Sequence, residues 1–105
     1  MWGAHEIVTG APLVADLDPN TVAPGTTRTW VTGRSTNTVR ALLIAGVSVT
    51  LVPWAYESSL GLWLQIDSKL ITPAAPTIVD VVPDARMFFQ ITAVIGAPTN
   101  LVIAP

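Results

Sequence analysis

Short segments in which apolar and polar residues alternate run through most of the chain after residue 27. Val47-Ser48-Val49-Thr50-Leu51 alternates strictly, and successive side chains of a β-strand point to opposite faces, so this pattern predicts a strand. Similar segments, separated by glycine, proline or other turn residues, predict strands at 28–32, 36–45, 60–66, 77–82, 86–95 and 100–104. No segment sustains the period of a helix, and β-branched residues and prolines interrupt throughout, so we expect an all-β protein.

The spacing of these segments indicates the architecture. About seven strands with turn signals roughly every 8 to 12 residues favour a sandwich or a barrel. We therefore predict a single antiparallel β-sandwich or jelly-roll-like barrel over residues 27–105, preceded by an extended N-terminal arm over residues 1–26.

Several strands also predict which side chains face the core. In 60–66 the four aliphatic side chains are expected to point inward and Trp63 outward, and in 86–95 the odd-numbered side chains are expected to share one face. The second half of 36–45 is apolar on both faces, which is typical of a strand buried on both sides. Pro53 cannot donate a ladder hydrogen bond, so it marks a bulge or an edge.

The N-terminal segment has a different composition from the rest. Residues 1–26 hold three prolines, and Asp18-Pro19-Asn20 predicts a turn closed by an Asx hydrogen bond. One interpretation is an arm with one or two edge strands, around residues 6–9 and 12–14, that reaches a neighbouring molecule. The other is an N-terminus that lies on its own domain.

Composition changes the picture because charge is scarce. The chain has 105 residues, of which 50% are hydrophobic and only 11% are charged, whereas an average soluble domain carries about 25% charged residues. Charge usually covers much of the surface of a small monomer. We therefore expect part of this surface to be hidden against protein.

Several classes of partner are excluded by the same counts. The net charge is −2 and Lys69 is the one lysine, whereas nucleic-acid binding needs clustered cations. The longest uninterrupted apolar run, around 41–45, is far shorter than the roughly 20 residues of a membrane helix. The chain has no cysteine, so neither a disulfide framework nor thiolate chemistry is expected.

Residues capable of catalysis or metal binding are few and scattered. His5 is the one histidine and lies in the proline-rich segment, without a rigid scaffold for a nucleophile and an orienting acid. Asp16 and Asp18 resemble the start of a calcium loop, but the glycine and glutamate that complete such a loop are missing. With no phosphate loop or nucleophile elbow, we predict no enzyme, no cofactor and no metal site.

The aromatic residues provide the candidate functional surface. We predict an interface formed by side chains from the middle of the chain and the longest strand: Trp30, Trp54, Tyr56, Trp63 and Phe88. Exposed aromatic side chains on a β face indicate a protein interface or a platform for stacking sugars. The alternative is that they fill a second core layer covered by residues 1–26.

Three segments carry a resemblance to a known class of proteins. Val49-Thr50-Leu51-Val52-Pro53-Trp54 and Gly61-Leu62-Trp63-Leu64-Gln65 resemble a strand pair common in small structural proteins of tailed bacteriophages, and the segment 86–96 continues the likeness. The resemblance implies a β-sandwich that is part of a virion, as a capsid decoration (cement) protein or as a tail, neck or fibre component. It assigns no functional residues, because such proteins act through whole surfaces.

Together these observations predict a virion structural protein that assembles in the host cytoplasm. Its expected partners are copies of itself, in a small oligomer such as a trimer, and the major capsid protein or another virion protein. The preferred function is capsid decoration. The alternatives are a tail, neck or fibre component and a carbohydrate-binding module that uses Trp54, Tyr56 and Trp63.

Overall fold

Every regular element in the described part of the chain is a β-strand. The computed structural model describes residues 5–8, 18–21, 29–96 and 100–105. The strands in these ranges are β1 His5–Val8, β2 Thr29–Val31, β3 Thr38–Ala45, β4 Ser48–Glu57, β5 Leu62–Gln65, β6 Lys69–Ile71, β7 Thr77–Asp80, β8 Arg86–Ile95 and β9 Asn100–Ala104. They form two antiparallel sheets, which confirms the all-β prediction and is consistent with a β-sandwich.

Sheet A contains four strands in the order β1-β9-β3-β7. Its central pair sets Leu42 opposite Val102, and the pair of β3 with β7 sets Arg40 opposite Ile78. Directly opposed residues of antiparallel strands project from the same face of a sheet. These four side chains therefore share the outer face of sheet A, because their neighbour Ala41 lies on the other face in the core.

Sheet B contains five strands in the order β2-β8-β4-β5, with β6 paired to the other half of the β4 edge. Pro53, which was predicted to mark a bulge or an edge, lies at this edge of β4. It stands between the residues that pair with β6 and those that pair with β5. Its carbonyl accepts a 2.9 Å hydrogen bond from Ile66 N. The missing N–H faces the same side, so the proline lies where the partner strand changes.

The core lies between the sheets and takes alternate residues from each long strand. The buried apolar side chains that form one contact cluster are Val39, Ala41, Leu43, Val49, Leu51, Ala55, Ile71, Val79, Val81, Met87, Phe89, Ile91, Leu101 and Ile103. The period of two in the sequence therefore predicts the core face of β3 and most of that of β4 and β8.

The structure contains strands beyond the predicted seven. β1 belongs to the segment predicted as an arm with edge strands, and β6 lies between the predicted strands at 60–66 and 77–82, where no strand was predicted. β6 forms because pairing with Val49 places Ile71 in the core, where its side chain is fully buried. A three-residue strand with one buried side chain carries too little alternation to be recognised in the sequence.

Two parts of the N-terminal segment lie on the sandwich. β1 pairs with β9 at the edge of sheet A. In the turn at 18–21, Asn20 N donates to Asp18 Oδ1 at 2.7 Å and Thr21 N donates to Asp18 O at 3.0 Å, which confirms the predicted Asx turn. The other residues of 1–26 lie outside the described ranges, so an arm that reaches a neighbour stays a prediction.

The prediction that the odd-numbered side chains of β8 share one face is wrong beyond Ile91. Ala93 has φ of 47°, a left-handed conformation that is strained for a residue with a Cβ, and the pairing of β8 with β4 is irregular at the same point. This irregularity shifts the alternation by one residue. Val94 consequently packs against the core, and Ile95 is exposed.

Candidate interface surfaces

The register of sheet B brings four of the five predicted aromatic residues to one surface. Tyr56 on β4 lies opposite Trp63 on β5, and Trp54 on β4 lies opposite Phe88 on β8. Because opposed residues share a face, these side chains all belong to the outer face of sheet B. Trp30 does not, because it pairs with Met87 and packs against the core.

The ring of Trp63 lies at the centre of this aromatic group. Tyr56 meets it edge to face with centroids 5.2 Å apart, Phe88 does so at 6.2 Å, and the Arg86 guanidinium carbon lies 5.4 Å from its centroid. Edge-to-face pairs and a cation over an indole are both favourable arrangements of the ring quadrupole. The contacts therefore form one packed cluster.

Burial shows that this face is covered within a single chain. Phe88 is 4% exposed and Trp63 is 7% exposed, while Tyr56, at the rim, is 38% exposed. Trp54 is half-buried, and its Nε1 donates to Gln90 Oε1 at 2.7 Å. The aromatic residues therefore form a second apolar layer. The interface predicted for them stays a prediction. Of the four residues on this face, Trp54 and Tyr56 have accessible surface that a partner could contact.

Asn20 connects the N-terminal turn to the same layer. Its Oδ1 accepts from Trp63 N at 2.8 Å, and its Nδ2 donates to Trp63 O at 2.9 Å. The side-chain amide thus occupies the place of a neighbouring strand at the free edge of β5. An unpaired strand edge is a template for further pairing, so this contact blocks the edge at Trp63.

In 60–66, Leu64 and Trp63 lie on the predicted faces, but their burial is the reverse of the expected one. Leu60, Leu62 and Leu64 are all exposed, whereas Trp63 is buried. Leu64 lies opposite Ala55 and therefore points to the core side of sheet B, but β5 packs extensively against β4 alone. The leucines thus face the correct side of the sheet at a place that sheet A does not cover.

Sequence reasoning missed the outer face of sheet A. Ile44 and Ile78 are exposed there, and Leu42 and Val102 are half-buried. The apolar residues on both faces of β3 predicted burial on both sides, which is wrong for Ile44. The signal was present in the sequence, since an exposed apolar face and a doubly buried one have the same pattern.

Two carboxylates in the described residues, Asp67 and Glu57, accept hydrogen bonds from backbone N–H groups. The Asp67 carboxylate accepts from Ser68 N at 2.8 Å and from Asp80 N at 3.1 Å, which caps an exposed edge of β7. Hydrogen bonds from the side chain and then the backbone of Ser59 lower the pKa of Glu57. Within the same ranges no group of three or more His, Cys, Asp or Glu residues is placed to hold a metal ion.

No family model, curated protein or solved structure matches the chain. In the described ranges, no helix is long and apolar enough to cross a membrane. The arrangement of side chains on these surfaces can bury apolar area against a partner.

Proposed function

We propose that this chain is a structural protein of a phage virion, a capsid decoration protein that stabilises the shell through self-association and contacts with the capsid. The observation that carries the proposal is the amount of exposed apolar surface. Large hydrophobic side chains are exposed on both sheets and at both ends: Val31, Ile44, Val47, Tyr56, Leu60, Leu62, Leu64, Leu70, Ile78 and Ile95. The whole chain offers only twelve charged residues, five basic and seven acidic, to keep this surface in water.

The energetics of association favour a repeated assembly over a single pair. Burial of apolar surface contributes about 25 cal/mol per Å², and a standard interface removes about 800 Å² per partner. Lost translational freedom and ordered side chains offset much of that gain. On a shell, many copies bind at once, so modest single contacts add up to stable decoration.

Self-association is tested by the mass of the purified chain in solution, measured by light scattering across a dilution series. The proposal expects a closed oligomer such as a trimer. Truncation of residues 1–26 is an unsuitable variant, because it removes β1 from sheet A and Asn20 from the edge of β5. A chain that is monomeric at every concentration contradicts the self-association part of the proposal.

Capsid binding is tested by sedimentation of the chain with tailed-phage capsids assembled from the major capsid protein alone. Purified tails of the same phage serve as the comparison, since a tail, neck or fibre component would bind by the same physics. Co-sedimentation with capsids and not with tails is the expected result. If the chain is monomeric and sediments with neither particle, the proposed function is wrong.

A carbohydrate-binding function is less well supported than assembly. Stacking of a sugar needs a flat, accessible aromatic face, whereas Trp63 is buried beneath its neighbours and Trp54 is half-buried. The test of this alternative is Tyr56→Ala, because Tyr56 is the exposed member of the cluster. The assembly proposal expects no change in retention on immobilised oligosaccharides.

A further inference from the structure

Charge is distributed unevenly along the strands. Residues 41–56, 70–79 and 87–105 contain no charged side chain. The structure brings three parts of these segments to one end of the sandwich. They are the turn between β3 and β4, Gly96 after β8, and the loop at 72–76 between β6 and β7. We call this the apolar end and define it by Ile44, Val47, Ile95 and residues 72–76.

The backbone holds the apolar end in one shape. Val47 N donates to Ile95 O at 2.9 Å, which ties the two connections together. Gly46 and Gly96 have φ of 110° and 96°, which L-residues with a Cβ rarely adopt. A Cβ at Gly96 would lie 2.6 Å from Val47 N, so the two turns are in contact.

Large aliphatic side chains at the apolar end are exposed to solvent. Ile44 is 57% exposed, Val47 is 59% exposed and Ile95 is 55% exposed. All three are β-branched and have restricted rotamers, so little side-chain entropy is lost when they are buried against a partner. Pro73, Ala74, Ala75 and Pro76 beside them are also exposed and uncharged.

The other end of the sandwich carries charged side chains beside exposed apolar ones such as Val31 and Leu60. Arg34, Asp84 and Arg86 lie near the start of β8, and Asp84 N donates to Gly33 O at 3.0 Å in the connection there. Glu57 lies at the corresponding end of β4. Contacts between two copies through this end would require charged side chains to be desolvated, whereas two apolar ends can meet without that cost.

We propose that the occupant of the apolar end is the apolar end of a second copy of this chain. The inference rests on the self-association in the proposed function and assigns the surface that mediates it. Among the residues that the structure describes, no like charges oppose the contact between identical ends, because the residues that define the end are all uncharged. The contact is isologous, so the closed oligomer is a two-fold dimer in place of a trimer.

The size of the end predicts a weak contact. The molecule measures 39 × 29 × 19 Å. An end of the molecule, taken as an ellipse with axes of 29 and 19 Å, has an area of about 430 Å². This area is roughly half of the 800 Å² that each partner buries in a standard interface. Contacts of this size are typically transient. We therefore expect a reversible dimer whose fraction rises with concentration.

Substitutions at Val47 test the inference because its side chain is exposed. A charged residue at this position therefore places charge on the apolar end without disturbing the core. Val47→Lys and Val47→Glu are each expected to weaken dimer formation at least tenfold in light scattering and sedimentation equilibrium. Leu60→Lys is the matched control, since Leu60 is equally exposed at the β4–β5 turn, and it should associate like the original chain. Thermal unfolding of each variant checks that the fold is retained.

A mixture of the two Val47 variants is the sharpest measurement. If identical ends meet, equal amounts of Val47→Lys and Val47→Glu should form a mixed dimer at low salt, although neither associates alone. This dimer should weaken as salt screens the attraction. Failure of the mixed pair to associate, with both variants folded, contradicts an isologous contact at this end.

The outcomes separate this inference from the proposed function. If the original chain self-associates and Val47→Lys does so equally well, the apolar end is not the contact and the proposed function stands. If the original chain is monomeric but binds capsids, and Val47→Lys abolishes that binding, the occupant is a shell protein and the inference is overturned. If the original chain neither associates nor binds capsids, both are wrong.

Discussion

The outer faces of the two sheets both carry large apolar side chains, but they differ in how far these side chains are buried. On sheet B, Phe88 and Trp63 are almost completely buried in a second apolar layer, and the turn at 18–21 bonds to its edge. On sheet A, Ile44 and Ile78 are more than half exposed. The comparison shows that apolar residues on a strand do not indicate which face is available to a partner, because availability depends on what the rest of the chain covers.

The largest expected difference between the faces is in stability. Phe88→Ala on the covered face should reduce the free energy of unfolding by about 3 kcal/mol, because it leaves a cavity beside Trp63. Ile78→Ala on the exposed face should change it by less than about 0.5 kcal/mol. Chemical denaturation of both variants measures the difference, and equal effects would mean that the two faces are not distinguished by burial.

Removal of the Asn20 amide sharpens the comparison at the edge of the covered face. Asn20→Ala deletes both hydrogen bonds to the Trp63 backbone and should destabilise the protein by about 1–2 kcal/mol. The control is Thr21→Ala, because the backbone N–H of Thr21 donates to Asp18 O and the substitution keeps this bond. A loss in Asn20→Ala no larger than in the control would show that the turn does not hold this edge.

The polar contact within the covered layer should have a smaller effect. Trp54→Phe keeps an aromatic ring but removes the indole N–H that donates to Gln90, so we expect a loss of about 1 kcal/mol. Tyr56→Phe alters the exposed rim of the same face and should change stability by less than about 0.5 kcal/mol. Urea unfolding resolves the two variants, and a reversed order would contradict the burial gradient across this face.

The smallest effect is expected at the rim, where Glu57 ends β4. Hydrogen bonds from Ser59 lower the pKa of Glu57 below its ordinary value of 4.5. Because the folded pKa is the lower one, these bonds contribute stability above the unfolded pKa, and the contribution is lost as pH falls through the folded pKa. An NMR titration should show the Glu57 pKa rising toward 4.5 in Ser59→Ala, and an unchanged pKa would exclude Ser59 as the cause.

Local sequence patterns determined a large part of this structure. The alternation along residues 47–51 predicted the start of β4 and its buried side, and Asp18-Pro19-Asn20 predicted the Asx turn that the structure contains. These features depend on a few neighbouring residues, since side-chain direction alternates along a strand and an Asx hydrogen bond closes within two residues. The scarcity of charge in the composition predicted that part of the surface is hidden against protein, which stays a prediction, and the described residues include large apolar side chains that are exposed.

Only the tertiary structure decided which surfaces are covered. Trp63 was predicted to point outward, and it does, but the layer around it and the Asn20 amide bury it. The leucines of β5 were predicted to point inward, and Leu64 does, but sheet A does not reach it. Alternation assigns each side chain to one face of its own strand, whereas burial requires a second layer that residues distant in the chain supply. For the same reason, no local pattern could show that Ile44, Val47 and Ile95 are exposed at the same end of the sandwich.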